Sequence, residues 1–276
     1  MQLRAQALEP VDRGRLGGAV GARPGQAAEA RHARDAGKRA AARLAHRRGE
    51  RGKRGREAGH VHLEHAAQRI AAFATYQAGQ SCISVQRVYA VESVYDGLRA
   101  ALEKAEAGLR TGDPGDPATH VGPMIDEAAA RRVEEWVGEA EAAGATVVVG
   151  GAREGTTYPP TLLEGVPEDA KVMREEVFGP VLALERVAST TEAFARVNAS
   201  RFGLQAGVFT HDIGTAFLAH RELEVGGVVV GDVPSYRADQ MPYGGTKESG
   251  VGREGVRYTM TDLTYERVMV LTGLDL

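Results

Sequence analysis

VLALERVASTTEAFARVNASRFGLQAGVFTHDIGTAFLAHRELEVGGVVV, residues 181–230, decides the fold class of this chain. Val181–Val187 and Ala206–Thr210 read as strands, and Val225–Val230 is a third apolar strand carrying two glycines. Ser189–Asn198 and Ile213–Leu223, lying between them, read as helices. Parallel neighbours in a sheet need a crossover connection, usually a helix, so this alternation predicts an α/β fold with a mostly parallel sheet flanked by helices.

The pattern continues outward. Leu63–Gln77 reads as a helix with Ala66, Ile70, Ala71 and Phe73 near one face, and Ser84–Ala90 is β-rich. Ser93–Leu109 is amphipathic, with Val94, Leu98, Ala101, Leu102 and Ala105 at helical spacing. Gly112-Asp113-Pro114-Gly115-Asp116-Pro117 has turn chemistry. Asp126–Ala143 reads as a helix capped by Asp126. Thr146–Val149 reads as a short buried strand closed by Gly150 and Gly151. Thr261–Leu271 alternates polar and apolar residues and predicts a terminal strand that pairs with another chain or domain.

Charge divides the chain unevenly. It carries 34 basic and 37 acidic side chains, net −3, a balance that predicts neither a nucleic-acid nor a membrane partner. Residues 1–60 hold 15 Lys+Arg against 6 Asp+Glu, which leaves 19 against 31 for the remainder. The same 60 residues contain no Phe, Tyr, Trp or Ile, and ten glycines interrupt any helix they could start. A segment of that composition cannot bury enough apolar surface to offset the ordering of its backbone. Residues 1–60 are therefore expected to be a disordered basic, Ala/Arg/Gly-rich segment, with a short helix over 26–44 the one element its alanines permit. No apolar run reaches the ~20 residues that span a bilayer. The N-terminus lacks the apolar centre of a secretory signal, so a cytoplasmic location is expected.

Cys82, within Tyr76-Gln77-Ala78-Gly79-Gln80-Ser81-Cys82-Ile83-Ser84, is the only cysteine. A lone thiol forms no internal disulfide and is too little for a structural zinc site, which leaves an apolar filler or a nucleophile. Gly79 and Gln80 suggest a turn that presents the sulfur. An ordinary thiol, with a pKa of about 8.5, is only a few per cent thiolate at neutral pH, so a nucleophile at this position needs local activation.

Four further segments give the cysteine a context. They are Gly122-Pro123-Met124-Ile125; Met173-Arg174-Glu175-Glu176-Val177-Phe178-Gly179-Pro180-Val181; Asn198 through Thr210; and Met241-Pro242-Tyr243-Gly244-Gly245-Thr246-Lys247-Glu248-Ser249-Gly250-Val251-Gly252-Arg253-Glu254-Gly255. With Gly79-Gln80-Ser81-Cys82 they resemble the NAD(P)-dependent aldehyde dehydrogenase superfamily, in family order over roughly 62–275. The resemblance implies that Cys82 is the nucleophile, forming a thiohemiacetal and then a thioester that water hydrolyses, with its own backbone N–H in the oxyanion hole. It implies that Glu176 holds the nicotinamide ribose of NAD or NADP and that Phe178 packs beside the nicotinamide ring. Arg237 lies where family members line the substrate entrance; a guanidinium fits a carboxylate or phosphate bidentately, and a surface salt bridge is the equal alternative. The resemblance further implies a small, polar or anionic aldehyde as substrate, a dimer or tetramer built partly through Thr261–Leu271, and no metal. His60, His62 and His65 are the nearest approach to a metal cluster in the sequence.

The organisation expected is a basic segment over 1–60, a catalytic domain over 61–258 and an oligomerisation strand over 259–276. Family members carry a coenzyme-binding domain ahead of this region, with a general-base glutamate in a Glu-Leu-Gly-Gly motif. Glu50 stands at about the right distance, but within Arg-Gly-Glu-Arg-Gly, and receives no role. GC-rich coding sequence read out of frame yields mostly Ala, Arg, Gly, Pro and His, so residues 1–60 are expected to be frame-shifted, with family sequence starting near His62. The alternative function is a non-catalytic remnant that associates through its basic segment and terminal strand. Family-like codons in another frame of the upstream DNA are the expected finding, and their absence would refute the frame shift.

Overall fold

The computed structural model describes residues 63–275. The basic segment 1–60, with its expected disorder and its helix over 26–44, lies outside the described residues, as do His60 and His62.

Helix α1 covers 63–75 and passes into a single 3-10 turn at Tyr76–Gly79, where the sequence pattern predicts one helix to Gln77. The break is conformational. Gln77, Ala78 and Gly79 have φ of 53°, 55° and 70°, left-handed values that a right-handed helix cannot contain. Strand β1 (Arg87–Val91), helices α2 (Glu92–Ala107) and α3 (Glu127–Ala142), strands β2 (Thr146–Val149) and β3 (Thr161–Glu164), helix α4 (Lys171–Arg174) and strand β4 (Val181–Val187) follow. Asp126 caps α3 by accepting a 2.7 Å hydrogen bond from the Ala129 N–H.

These strands form one sheet in the order β1-β4-β3-β2. β4 runs parallel to both β1 and β3, and β2 is antiparallel to β3. Side chains of the central strand alternate between two cores, as the period of two dictates. Val181 and Ala183 join Ala130, Val133, Val137 and Ala140 of α3 on one face. Leu182 and Leu184 join Leu98 and Leu102 of α2 and Ala66, Ala67, Ile70 and Ala74 of α1 on the other. The chain continues through α5 (Thr190–Asn198), β5 (Phe202–Gly203), β6 (Gln205–Val208), α6 (Ile213–Glu222), β7 (Gly227–Val230), β8 (Thr246–Lys247) and α7 (Val256–Leu263). β6 and β7 are a parallel pair, with Phe194, Ala219 and Leu223 forming a third core beside them.

Two expectations are corrected. Thr146–Val149 is a strand but not a buried one: β2 is an edge strand, so Thr146 is exposed and the three valines are half-buried. Thr261–Leu271 is not a strand. Helix α7 ends within it, and residues 264–271 follow without secondary structure, exposed throughout. Alternation makes a strand only where a ladder takes up the backbone N–H and C=O groups, and no described strand lies beside this one.

One residue departs from the core pattern. Glu106 follows Leu98 and Leu102 at four-residue steps on α2, is 1 % exposed, and has no hydrogen-bond partner for either carboxylate oxygen among the described residues. Burial pushes its pKa up to about 8. The folded chain therefore keeps a proton that the unfolded chain releases above an ordinary carboxylate pKa. The contribution of this carboxyl to stability is full below about pH 4.5 and falls as pH rises to about 8. Glu106→Leu is expected to raise stability at pH 8 by a few kcal/mol, on the order of 3, and to raise it far less at pH 5. Urea denaturation at the two pH values measures this, and equal gains at both would contradict the buried, protonated carboxyl.

Candidate active site

The cysteine loop and the Glu-Glu-x-Phe-Gly-Pro segment lead directly into neighbouring parallel strands, β1 and β4, and therefore meet at the N-terminal end of that pair. Their contact is backbone on backbone. A Cβ at Gly79 would stand 2.1 Å from the Gly179 carbonyl oxygen and 2.6 Å from the Pro180 nitrogen. A Cβ at Gly179 would stand 2.7 Å from Val133 Cγ2. Glycine is thus required on both sides, and at Gly79 for its positive φ as well.

Hydrogen bonds fix the rest of the loop. The Tyr76 hydroxyl and Ser81 Oγ lie 2.5 Å apart, Ser84 Oγ donates to the Phe73 and Ala74 carbonyls, and Gln80 Oε1 accepts from the Ile125 N–H at 2.9 Å. Gln86 then ties the second segment to β1. Its amide donates to the Val172 and Glu175 carbonyls, and its Oε1 accepts from the Val177 N–H. Arg87 donates to the Met173 carbonyl at 2.8 Å and to Ser200 Oγ at 3.2 Å. The Ser235 hydroxyl donates to the Ile83 carbonyl, and Arg69 holds Asp232 with two bonds of 2.8 and 2.9 Å, which fixes the loop that carries Arg237. That guanidinium keeps the Asp232 carboxyl below its usual range.

Cys82 is exposed at the centre of this arrangement. Its Sγ lies 3.0 Å from the Tyr243 hydroxyl. Among the described residues nothing accepts a hydrogen bond from its backbone N–H. Tyr243 is 7 % exposed, and burial together with the hydrogen bond to Cys82 raises its phenol above the ordinary value. The Arg237 guanidinium stacks over the Tyr243 ring at 4.2 Å and pairs with Glu254 at 2.9 Å. Glu254 in turn exchanges backbone hydrogen bonds with Tyr243.

Of the residues singled out by sequence, Cys82 and Phe178 flank the Gly79–Gly179 contact. Phe178 is 40 % exposed and has φ of 50°, a left-handed value that is an outlier for a bulky side chain. Glu175 and Glu176 separate cleanly. Glu175 pairs with Arg201, whereas the Glu176 carboxylate is exposed and has no partner among the described residues. A free carboxylate and an exposed aromatic ring, side by side in one segment, suit a diol and a flat heteroaromatic ring. Arg237 takes the salt-bridge alternative, but does so one ring away from the thiol. Tyr243 lies within the motif segment that starts at Met241, and its only local signal is a hydroxyl on an aromatic directly after Pro242. Among the described residues no cluster of His, Cys, Asp and Glu is placed to hold a metal, and no helix is long and apolar enough to cross a membrane.

Residues 58–269 match the aldehyde dehydrogenase family. The chain is 47% identical over 209 residues to the 3-sulfolactaldehyde dehydrogenase of Priestia megaterium, covering 76% of this chain and 44% of that protein. It superposes on aldehyde dehydrogenase 21 of Physcomitrella patens, solved with the reaction product succinate, with a TM-score of 0.71 and 44% identity, over 72% of this chain and 41% of that one. It superposes likewise on the NADP-dependent glyceraldehyde-3-phosphate dehydrogenase of Bacillus halodurans, solved with NADP, with a TM-score of 0.73 and 36% identity, over 76% of this chain and 44% of that one. The chain thus spans less than half the length of these relatives.

The close approach of the two loops is directly testable. Gly79→Ala forces the Gly179–Pro180 backbone away and sets an alanine at φ +70°. It is expected to destabilise the chain by about 3 kcal/mol. A change below about 0.5 kcal/mol in denaturant unfolding would mean that the contact is looser than described.

Proposed function

The chain belongs to the aldehyde dehydrogenase family, and we propose that it oxidises a small anionic aldehyde to the carboxylic acid with NAD or NADP, through Cys82. The observation that carries this reading is the exposed Cys82 thiol, held by a left-handed turn against the segment of Glu176 and Phe178, with a phenol at 3.0 Å.

The residues divide the work as follows. The Cys82 thiolate attacks the aldehyde carbon. The S–C bond forms and the carbonyl π electrons move to oxygen, giving a thiohemiacetal. The unengaged Cys82 N–H is a preorganised donor for that oxyanion, and removing such a donor typically costs ~2.7–4 kcal/mol. The Glu176 carboxylate would accept hydrogen bonds from the ribose diol of the coenzyme, and the Phe178 ring would pack beside its nicotinamide. NAD(P)+ bound there supplies the acceptor for the hydride lost by the substrate carbon. Cys82 carries the acyl group as a thioester, and hydrolysis releases the acid and returns the thiol. No described residue is assigned as the base for that water.

Arg237 supports an anionic substrate, because its guanidinium lies over the ring that touches the nucleophile. The relatives point the same way: sulfolactaldehyde, succinate and glyceraldehyde 3-phosphate all carry an anionic group. Association is a further part of the proposal. Val256, Met260 and Leu263 of α7 and Val268 and Leu271 beyond it are large, apolar and exposed, a surface suited to a second copy of the chain.

The test uses the full 276-residue chain with lactaldehyde, succinate semialdehyde, glyceraldehyde 3-phosphate and propanal, followed by NAD(P)H absorbance. Turnover is expected with the anionic aldehydes and is expected to vanish in Cys82→Ala. Arg237→Gln is expected to raise KM for the anionic substrates about tenfold and to leave the KM for propanal unchanged. Absence of any Cys82-dependent coenzyme reduction would overturn the reading for this chain. Sedimentation with and without residues 259–276 checks association, which is expected to weaken on their removal.

A further inference from the structure

We propose that the Tyr243 hydroxyl donates a hydrogen bond to the Cys82 thiolate and sets the reactivity of that sulfur. This rests on the reading of Cys82 as the nucleophile. It adds a residue to which the motif pattern gave no role.

Four observations carry it. The oxygen–sulfur distance is 3.0 Å, well within the range of a hydrogen bond to sulfur. A thiol is a poor donor and a thiolate is only an acceptor, so once Cys82 ionises the phenol must be the donor. The phenol is buried and its ionisation is raised, with the bond to Cys82 among the causes, so it remains a neutral O–H at pH values where thiols ionise. Finally, the ring is positioned on its face and at its backbone. Arg237 stacks on its face at 4.2 Å, Glu254 holds Arg237 at 2.9 Å, and the Tyr243 and Glu254 backbones bond to each other.

The charged groups facing the pair are Arg237 and Glu254. The guanidinium over the ring draws electron density from the phenol and makes its O–H a better donor, while Glu254 works against this from farther out. Only Arg237 touches the ring directly. The net arrangement favours donation to a neighbouring anion.

A donor to the thiolate has two opposed effects. It increases the thiolate fraction at neutral pH, and it lowers the nucleophilicity of each thiolate, with a Brønsted slope of about 0.4–0.5. A tenfold gain in thiolate fraction therefore yields a net acceleration of only about threefold near pH 7, and a slowing of about threefold once the thiol is fully ionised. This crossover distinguishes electronic tuning from packing.

The experiment is iodoacetamide alkylation of the full chain, in which Cys82 is the only cysteine. The thiolate attacks the methylene carbon, the S–C bond forms and iodide leaves, and neither coenzyme nor aldehyde is required. Tyr243→Phe keeps the ring that Arg237 covers and removes one oxygen. The variant is expected to alkylate about threefold slower than the unsubstituted chain at pH 7 and about threefold faster at pH near 10. Equal rates at both pH values, or a change in the same direction at both, would overturn the proposal. Because alkylation is independent of turnover, the crossover can appear in a chain that reduces no coenzyme, which would sink the dehydrogenase reading alone. Turnover with no crossover would sink the role of Tyr243 alone.

Discussion

Everything at the candidate site hangs on one close approach, that of the Gly79 backbone to the Gly179–Pro180 backbone. No side chain fits between them, so the distance is set by main-chain van der Waals surfaces. The conformational cost is local and visible. Gln77, Ala78 and Phe178 all take positive φ without being glycine, at roughly 1–3 kcal/mol each. Such a cost is sustained only where the surroundings over-determine the conformation. Here the surroundings are the two cores packed on either face of β4, the ladder of β1 and β4, and the Gln86 side chain bonded to three backbone groups of the second segment.

The direction of the strands then determines where the candidate site sits. In open α/β sheets ligands usually occupy the crevice beyond the C-terminal ends of the strands. Cys82 and Phe178 instead precede β1 and β4, and both lie at the N-terminal ends of that parallel pair. The candidate site thus lies at the opposite end of the strands from the one the fold rule indicates. The reason for the departure is in the sequence of each loop. A left-handed turn and a Gly-Pro step deliver the chain into a strand, and Cys82 and Phe178, a few residues before the strands, are exposed.

Much of this was legible in the sequence because it is local. The strand–helix alternation over 181–230, the Asp126 cap and the glycines flanking Cys82 and Pro180 are decided by neighbours a few residues away. What failed was non-local. The alternation of Thr261–Leu271 is a true strand pattern, but a strand needs a ladder partner, and α7 claims its first residues instead. The valines of β2 are half-buried rather than buried because β2 lies at an edge, and sequence does not say which strand does. Tyr243 went unnoticed for the same reason: its hydroxyl matters only because a loop 161 residues away brings a sulfur to within 3.0 Å.

Arg237 shows why the two readings of a surface charge need not compete. Its bond to Glu254 joins side chains that are 45% and 65% exposed. Such a pair contributes about 0–1 kcal/mol, since water solvates both ends nearly as well. It therefore holds the guanidinium over the Tyr243 ring without trapping it there. Under the proposed function, an incoming carboxylate, sulfonate or phosphate would replace Glu254 at little cost, whereas the backbone bonds between Glu254 and Tyr243 would remain. The ion pair keeps the guanidinium oriented when no substrate is bound, and the same weakness that makes it a poor contributor to stability makes it exchangeable. An uncharged aldehyde gives the guanidinium no reason to leave Glu254. Under the proposed function, discrimination for an anion would follow from the exposure of the pair together with its position one aromatic ring from Cys82.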